Sequence, residues 1–194
     1  MKNKLRRLDY NSPVVLTMAA LAFVILLVNY ATGGGLNRVL AVRYTSWADP
    51  MMYLRMFTHV LAHADLAHFT GNFLFILAVG PMVEEKYGSR RLLGLIALTA
   101  FVTGLVNVIF FHGVALIGAS GVLFMLILLS SFTNIREGRI PLTFILVALL
   151  YLGNEIVTGV IQSDNISQFS HVIGGICGGF FGFFIHGGII RGPK

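Results

Sequence analysis

The sequence predicts an all-α polytopic membrane protein with six transmembrane helices, as composition, apolar run length and charge placement all indicate. Hydrophobic residues make up 56% of the 194 residues and charged residues only 11%, values far from those of soluble globular domains. Six apolar runs are about as long as a bilayer's hydrocarbon core requires. Charged residues stand at the ends of these runs. The net charge of +6 therefore reflects membrane topology, and no nucleic-acid partner is expected.

The first predicted span runs from Pro13 to about Ala31, after a basic start at residues 1–8. A basic start followed by an apolar run is also typical of a signal peptide. This run is long for a signal peptide, and Asn29-Tyr30-Ala31 is a poor cleavage site, so we expect the span to be retained. Residues 1–12 then form an N-terminal tail.

Residues 32–65 form the longest connection between predicted spans, and it opens with Gly33-Gly34-Gly35. Loops of this length are usually functional or disordered. The segment is rich in methionine and aromatic residues, and this apolar content argues against disorder. We therefore expect the loop to lie in the interfacial layer of the membrane.

Five further apolar runs follow this loop. They cover Leu66 to Val83, Leu92 to Phe111, Val114 to Phe132, the residues from Pro141 to near Ile161, and Phe169 to Ile190. Six spans with short connections occupy residues 1–194 as a single membrane domain. The one cysteine, Cys177, lies within the last run, so an intramolecular disulfide framework is excluded.

Lysine and arginine residues divide unequally between the two sides that six spans define. Eleven lie on the side of both termini, and three, Arg38, Arg43 and Arg55, lie on the other. Because cytoplasmic segments are enriched in these residues, both termini are predicted to face the cytoplasm. The compact form, with no added span, indicates a prokaryotic plasma membrane.

Four polar residues lie near the outer ends of three predicted spans. His68 and Asn72 fall in the first two turns of the second span. Ser120 is expected about two turns into the fourth span, and His171 in the first turn of the sixth. At 1.5 Å per residue all four lie within about 10 Å of the outer helix ends. A shared depth on three helices is typical of a site.

Ser120 and His171 together have the chemistry of acyl transfer. A serine becomes a strong nucleophile when a neighbouring base accepts its proton, and histidine titrates close to neutral pH. Small residues allow membrane helices to pack closely. Such residues share the helical face of His171 or flank Ser120: Gly174, Gly178, Gly182, Gly118 and Gly121.

His68 and Asn72 are four residues apart and so project from one helical face. Two donors aimed at one point suit an oxyanion hole, to which the backbone N–H of Ser120 would contribute. A polar cluster at this depth is tolerated only where it is paired or lines a wet cavity.

These motifs, in this order, resemble those of the rhomboid family of intramembrane serine proteases in its minimal six-span form. The resemblance covers most of the chain from Arg55 onward. It is carried by Arg55, His63-Ala-Asp-Leu-Ala-His68-Phe-Thr-Gly-Asn72, Glu84 before Lys86-Tyr87-Gly88, Gly118-Ala-Ser120-Gly121, and His171-Val-Ile-Gly174-Gly-Ile-Cys-Gly178. Each piece alone is weakly specific, and together they are specific.

The resemblance implies a rhomboid-like helical bundle that cleaves transmembrane protein substrates with a Ser120–His171 dyad. It implies that His68, Asn72 and the Ser120 amide stabilise the oxyanion. By the same resemblance Arg55 and Glu84 are structural, and His63 forms hydrogen bonds near the site.

Three positions depart from the family pattern. Phe124 stands where the family usually has a tyrosine that stacks on the catalytic histidine, so the ring is kept and the hydroxyl is lost. Leu54 replaces a tryptophan before Arg55, and Ser170 replaces a small alanine before His171. None of these changes removes a catalytic group.

Alternative interpretations remain open. Ser120 alone could be a helix-packing residue, and His171 a paired buried histidine. The whole chain could be a non-catalytic rhomboid-like escort factor, a small transporter or an acyltransferase, but no convincing internal repeat indicates a transporter.

Neither a metal nor a cofactor is expected. His59, His63, Asp65 and His68 are close in sequence, yet they straddle a loop and a helix start and contain no HExxH motif. Asn154 and Glu155 in the fifth span have no assigned role. The sequence defines neither the substrate nor the oligomeric state.

Overall fold

A computed structural model describes residues 9–133, 142–147, 149–150 and 165–186. Its helices are α1 Pro13–Ala31, α2 Gly35–Leu40, α3 Pro50–Thr58, α4 Leu66–Tyr87, α5 Ser89–Phe110, α6 Ser120–Ser130, α7 Leu142–Val147 and α8 Asn165–His186, with a 3₁₀ turn at His59–Leu61. Across these described ranges the only β pairing is an isolated bridge between Val42 and Leu116. The predicted all-α class is confirmed.

Three of these helices, α1, α4 and α5, are long and apolar enough to cross a membrane. Helix α6 and residues 169–185 of α8 are shorter apolar segments. The protein is thus an integral membrane helical bundle. Most of the predicted fifth span, with Asn154 and Glu155, lies outside the described residues.

Two helix starts differ from those predicted. Helix α6 begins at Ser120 and not near Val114, because the preceding segment is extended and Leu116 pairs with Val42 through both backbone hydrogen bonds. Ser120 is therefore the first residue of its helix. Helix α8 begins at Asn165, so His171 lies nearly two turns into the helix and not in its first turn.

The long first loop is mostly helical. Asp49 caps α3 by accepting a hydrogen bond from the Met51 amide. Arg55 donates from Nε to the Val39 carbonyl at 2.9 Å, and its guanidinium lies 3.7 Å from the Asp49 carboxylate. The bond to Val39 ties α3 to α2, a structural contact of the kind expected of Arg55.

Helix α6 is the centre of the bundle. Eight of its eleven residues are buried, although its sequence contains no charged residue that could mark a polar face. Helices α4, α5 and α8 surround it, and α8 packs against it most extensively. A helix that is apolar on all sides is stable when other helices enclose it.

Glu84 joins the start of α1 to the end of α4. Its buried carboxylate accepts hydrogen bonds from the backbone amides of Val14 and Val15 at 2.9 and 3.0 Å. It also accepts one from the Ser89 hydroxyl at 2.7 Å. The first amides of a helix have no partner within the helix, and a carboxylate there also meets the positive end of the helix dipole.

Replacing Glu84 with alanine is expected to lower the free energy of unfolding by about 2 to 4 kcal/mol, because buried α1 amides lose a charged acceptor. Glu84→Gln retains one acceptor oxygen and should lose less. Unfolding in detergent micelles measures both changes. Glu85→Ala, at the exposed neighbouring position, is the control and should change stability by less than about 0.5 kcal/mol. Equal losses in the alanine variants would contradict this role.

Candidate active site

A tight turn places Ser120 at the start of α6. Gly118 has φ +119°, a conformation that residues with a side chain rarely adopt. Its amide donates to the His59 carbonyl at 3.0 Å, which fixes the turn against the first loop. Ser120 itself is half-buried, so its hydroxyl is held at the edge of the bundle core. Its backbone N–H lies among the helix-start amides that have no intrahelical acceptor.

His68 and Asn72 lie beside this turn. A Cβ atom added to Gly118 would lie 2.7 Å from His68 Nε2 and 3.9 Å from Asn72 Nδ2. Position 118 therefore requires glycine for two reasons: its φ is positive, and a side chain would collide with the His68 ring. Asn72 Nδ2 is buried and has no hydrogen-bond partner among the described residues. An unpartnered buried N–H is a ready donor for a ligand oxygen.

His171 approaches from α8. Its ring stacks on Phe124, with centroids 4.6 Å apart and planes at 9°. The ring that stands in place of the usual tyrosine therefore still packs face to face with this histidine.

Glycine contacts bring α6 and α8 together at the level of Ser120. A Cβ atom added to Gly174 would overlap the Gly121 backbone, and one added to Gly178 would overlap the Met125 carbonyl. At Gly121 an added Cβ would lie 3.4 Å from the Ser170 carbonyl. Ser120 directly precedes Gly121 and His171 directly follows Ser170, so both residues are next in sequence to this helix contact.

His63 supports the turn from the first loop. It is buried, and its Nε2 accepts a hydrogen bond from the Ala119 amide at 3.3 Å. Its Nδ1 faces the Leu61 carbonyl at 3.3 Å, so the neutral Nδ1–H tautomer satisfies both contacts. The Asn37 side chain donates to the His63 carbonyl at 2.7 Å. His63 thus forms a hydrogen bond with Ala119, the residue directly before Ser120.

Burial lowers the pKa of His63 to about 4, and the neighbouring His68 adds to this effect. The unfolded chain, where histidine titrates near pH 6.5, binds the proton more readily than the folded protein. Stability is therefore fully present above pH 6.5 and falls as pH drops toward 4, by at most about 1.4 kcal/mol per pH unit for one group.

Replacing His63 with glutamine is expected to reduce this loss of stability between pH 7 and pH 5. The amide oxygen of glutamine can accept the Ala119 N–H without a titrating ring, so the fold is kept. Unfolding in detergent at several pH values measures the slope for both proteins. An unchanged slope would show that His63 is not a source of the pH dependence.

Sequence reasoning missed two residues of this support. His59 was considered only as a possible metal ligand, yet its buried ring contacts the Ala100 carbonyl at 3.2 Å and its carbonyl holds Gly118. The four-residue spacing of His59 and His63 could have indicated a shared role. Asn37 lies in the loop with no sequence pattern that marks it.

Comparison with known proteins gives a consistent result. A sequence model described as "Rhomboid domain" matches residues 50–188. The chain is 30% identical over 175 residues to "Rhomboid protease GluP" of Bacillus subtilis (strain 168), covering 86% of this chain and 32% of that protein. It is 26% identical over 134 residues to "RHOMBOID-like protein 1" of Arabidopsis thaliana, covering 68% and 34%. It thus spans about a third of the length of these curated relatives.

Proposed function

The chain belongs to the rhomboid family, and from this premise we propose that it is an intramembrane serine protease. It hydrolyses peptide bonds in or near transmembrane segments of other membrane proteins. One observation carries the proposal: His68 and Asn72 lie beside the Gly118 turn, and the His171 ring stacks on Phe124, one helical turn after Ser120 on α6. A packing serine alone would not require donors and a histidine at the same point.

Ser120 acts as nucleophile and His171 as base in this mechanism. His171 accepts the hydroxyl proton while Ser120 Oγ forms a bond to the substrate carbonyl carbon. The carbonyl electrons move to oxygen and then return as the C–N bond breaks. His171 gives its proton to the leaving amine. Water next attacks the acyl-enzyme carbonyl while His171 accepts a proton from it. The C–Oγ bond then breaks, His171 returns the proton to Ser120 Oγ, and the carboxylic acid product is released.

The oxyanion formed in each step needs donors that are already in position. We assign this role to the Ser120 amide, the Asn72 side-chain amide and the His68 ring. Removal of one such donor typically raises the barrier by about 3 to 4 kcal/mol. The buried Asn72 amide, which has no partner among the described residues, supports the assignment.

Phe124, Arg55 and His63 have positioning roles in this proposal. Stacking on Phe124 sets the plane of the His171 ring. His63 holds the first loop against the turn before Ser120, and Arg55 ties α3 to α2 within that loop. We place the protein in a prokaryotic plasma membrane, and the asymmetry of basic residues predicts that both termini face the cytoplasm.

The proposal is tested by reconstituting the purified protein in liposomes with a panel of single-span membrane proteins. We expect fragments whose new termini map within or next to the transmembrane segment by mass spectrometry. Ser120→Ala protein is the control for contaminating proteases. Binding of the panel proteins without any cleavage, by wild-type protein that is folded, would favour the escort function instead.

A further inference from the structure

An apolar groove of about 450 Å³ lies between α1, α5 and the end of the first loop. It is separate from the proposed active site. Its walls include Met18 and Leu21 of α1 and Leu93 and Ile96 of α5, and Phe57 of α3 lies at one end. Leu21, Phe57 and Leu93 are between 44% and 57% exposed. The groove is thus open to the surroundings of the bundle, which in a membrane are lipid.

The length of the groove matches one leaflet of a bilayer. On α5 it extends from Ser89, the first residue of the helix, to Ala100. Eleven steps of 1.5 Å cover about 16 Å, and the hydrocarbon core of a bilayer is about 30 Å thick. The groove therefore starts at the membrane surface where α1 and α5 begin and ends near the midplane, beneath Phe57 and Leu61.

A positive charge stands at the surface end of the groove. Arg90 is exposed and lies three and seven residues before Leu93 and Ala97, so it shares their helical face. Within the described ranges it belongs to no ion pair. A basic residue at this level attracts anionic lipid headgroups.

We propose that this groove is a binding site for one anionic phospholipid, with an acyl chain between α1 and α5 and the phosphate at Arg90. The first loop forms the far end of the groove. The acyl chain fills the space between this end and the membrane surface, where the apolar walls would otherwise lack packing contacts. This occupant is inferred from the leaflet length, the apolar walls and Arg90, the residue after Ser89 at the surface end, where the Glu84 carboxylate is already bound to the Val14 and Val15 amides and the Ser89 hydroxyl.

Native mass spectrometry of the full chain in detergent tests the headgroup half of the site. Phosphatidylglycerol and phosphatidylcholine with identical acyl chains are titrated separately. Arg90→Gln is expected to weaken phosphatidylglycerol binding about fivefold, the effect of one basic residue near the surface, and to leave phosphatidylcholine binding unchanged. Lys86→Gln makes the same charge change on the other side of α4, near Thr133, and should have no effect. Equal losses in both variants would overturn the assignment.

A second variant tests the acyl-chain half. Ala97→Phe fills the groove and is expected to remove one bound molecule of either lipid, whereas Leu98→Phe, on an exposed neighbouring face of α5, should keep it. A photo-crosslinking residue at position 97 in native membranes should capture a lipid mass. Capture of a second copy of the chain or of another membrane protein would overturn the proposal, as would unchanged lipid stoichiometry in Ala97→Phe.

Discussion

Replacing Ser120 with alanine is expected to lower the rate of substrate cleavage by a factor on the order of 10⁴ to 10⁶, the range found when a serine nucleophile is removed. His171→Ala should cause a loss of similar size, because the hydroxyl is a poor nucleophile without its base. The double variant should be little worse than either single variant, since the two residues act as one unit. Initial rates on a reconstituted transmembrane substrate measure all three.

Covalent labelling separates this prediction from simple unfolding. A fluorophosphonate probe should add one adduct to wild-type protein and none to Ser120→Ala or His171→Ala, as read by intact mass. Ser130→Ala is the matched control, because that hydroxyl also lies on α6 and, among the residues that the structure describes, bonds only to the Ile127 carbonyl in its own helix. Labelling of Ser120→Ala, or additive losses in the double variant, would exclude the dyad.

The grouping of the candidate residues could be predicted from the sequence, because each lies on an apolar segment of recognisable period. His68 and Asn72 are one turn apart on α4, and their common face follows from helix geometry alone. The glycines of α8 indicate a close helix contact for the same reason. In the structure the turn before α6 lies beside His68 and Asn72 of α4, and Gly121 of α6 contacts Gly174 of α8.

The start of α6 could not be predicted in this way. Residues 114–117 are as apolar as the helix that follows, so hydropathy alone extends the helix through them. Their extended form depends on pairing with Val42, more than 70 residues earlier in the chain. The positive φ of Gly118 and its contact with His59 are likewise tertiary features, and they move Ser120 to the helix start.

The structural contacts of Glu84 and Arg55 could also be predicted only in part. Glu84 and Arg55 were assigned structural roles through the family resemblance, but their partners include backbone groups of α1 and α2, which carry no sequence signal. Asn37, which holds the His63 carbonyl, is one of several polar residues in that loop. Hydrogen bonds from side chain to distant backbone are visible only once the chain is folded.

Replacing Gly174 with alanine is expected to lower the cleavage rate on the order of 10²-fold, the effect of moving a catalytic group by about 1 Å. The new Cβ atom would overlap the Gly121 backbone, which has no side chain that could rotate away. Helices α6 and α8 must therefore separate, and His171 moves away from Ser120. The free energy of unfolding should fall by about 1 to 3 kcal/mol, as overpacking usually causes.

Gly94→Ala is the matched control for this change, because an added Cβ there meets no atom within 4 Å. Alanine favours a helix over glycine by about 1 kcal/mol, so propensity alone predicts that both variants gain stability. The opposite sign at Gly174 would therefore isolate the contact between α6 and α8. Thermal unfolding and fluorophosphonate labelling of the two variants in parallel measure stability and active-site geometry separately. A stable, fully labelled Gly174→Ala protein would mean that the helix contact does not set the distance between Ser120 and His171.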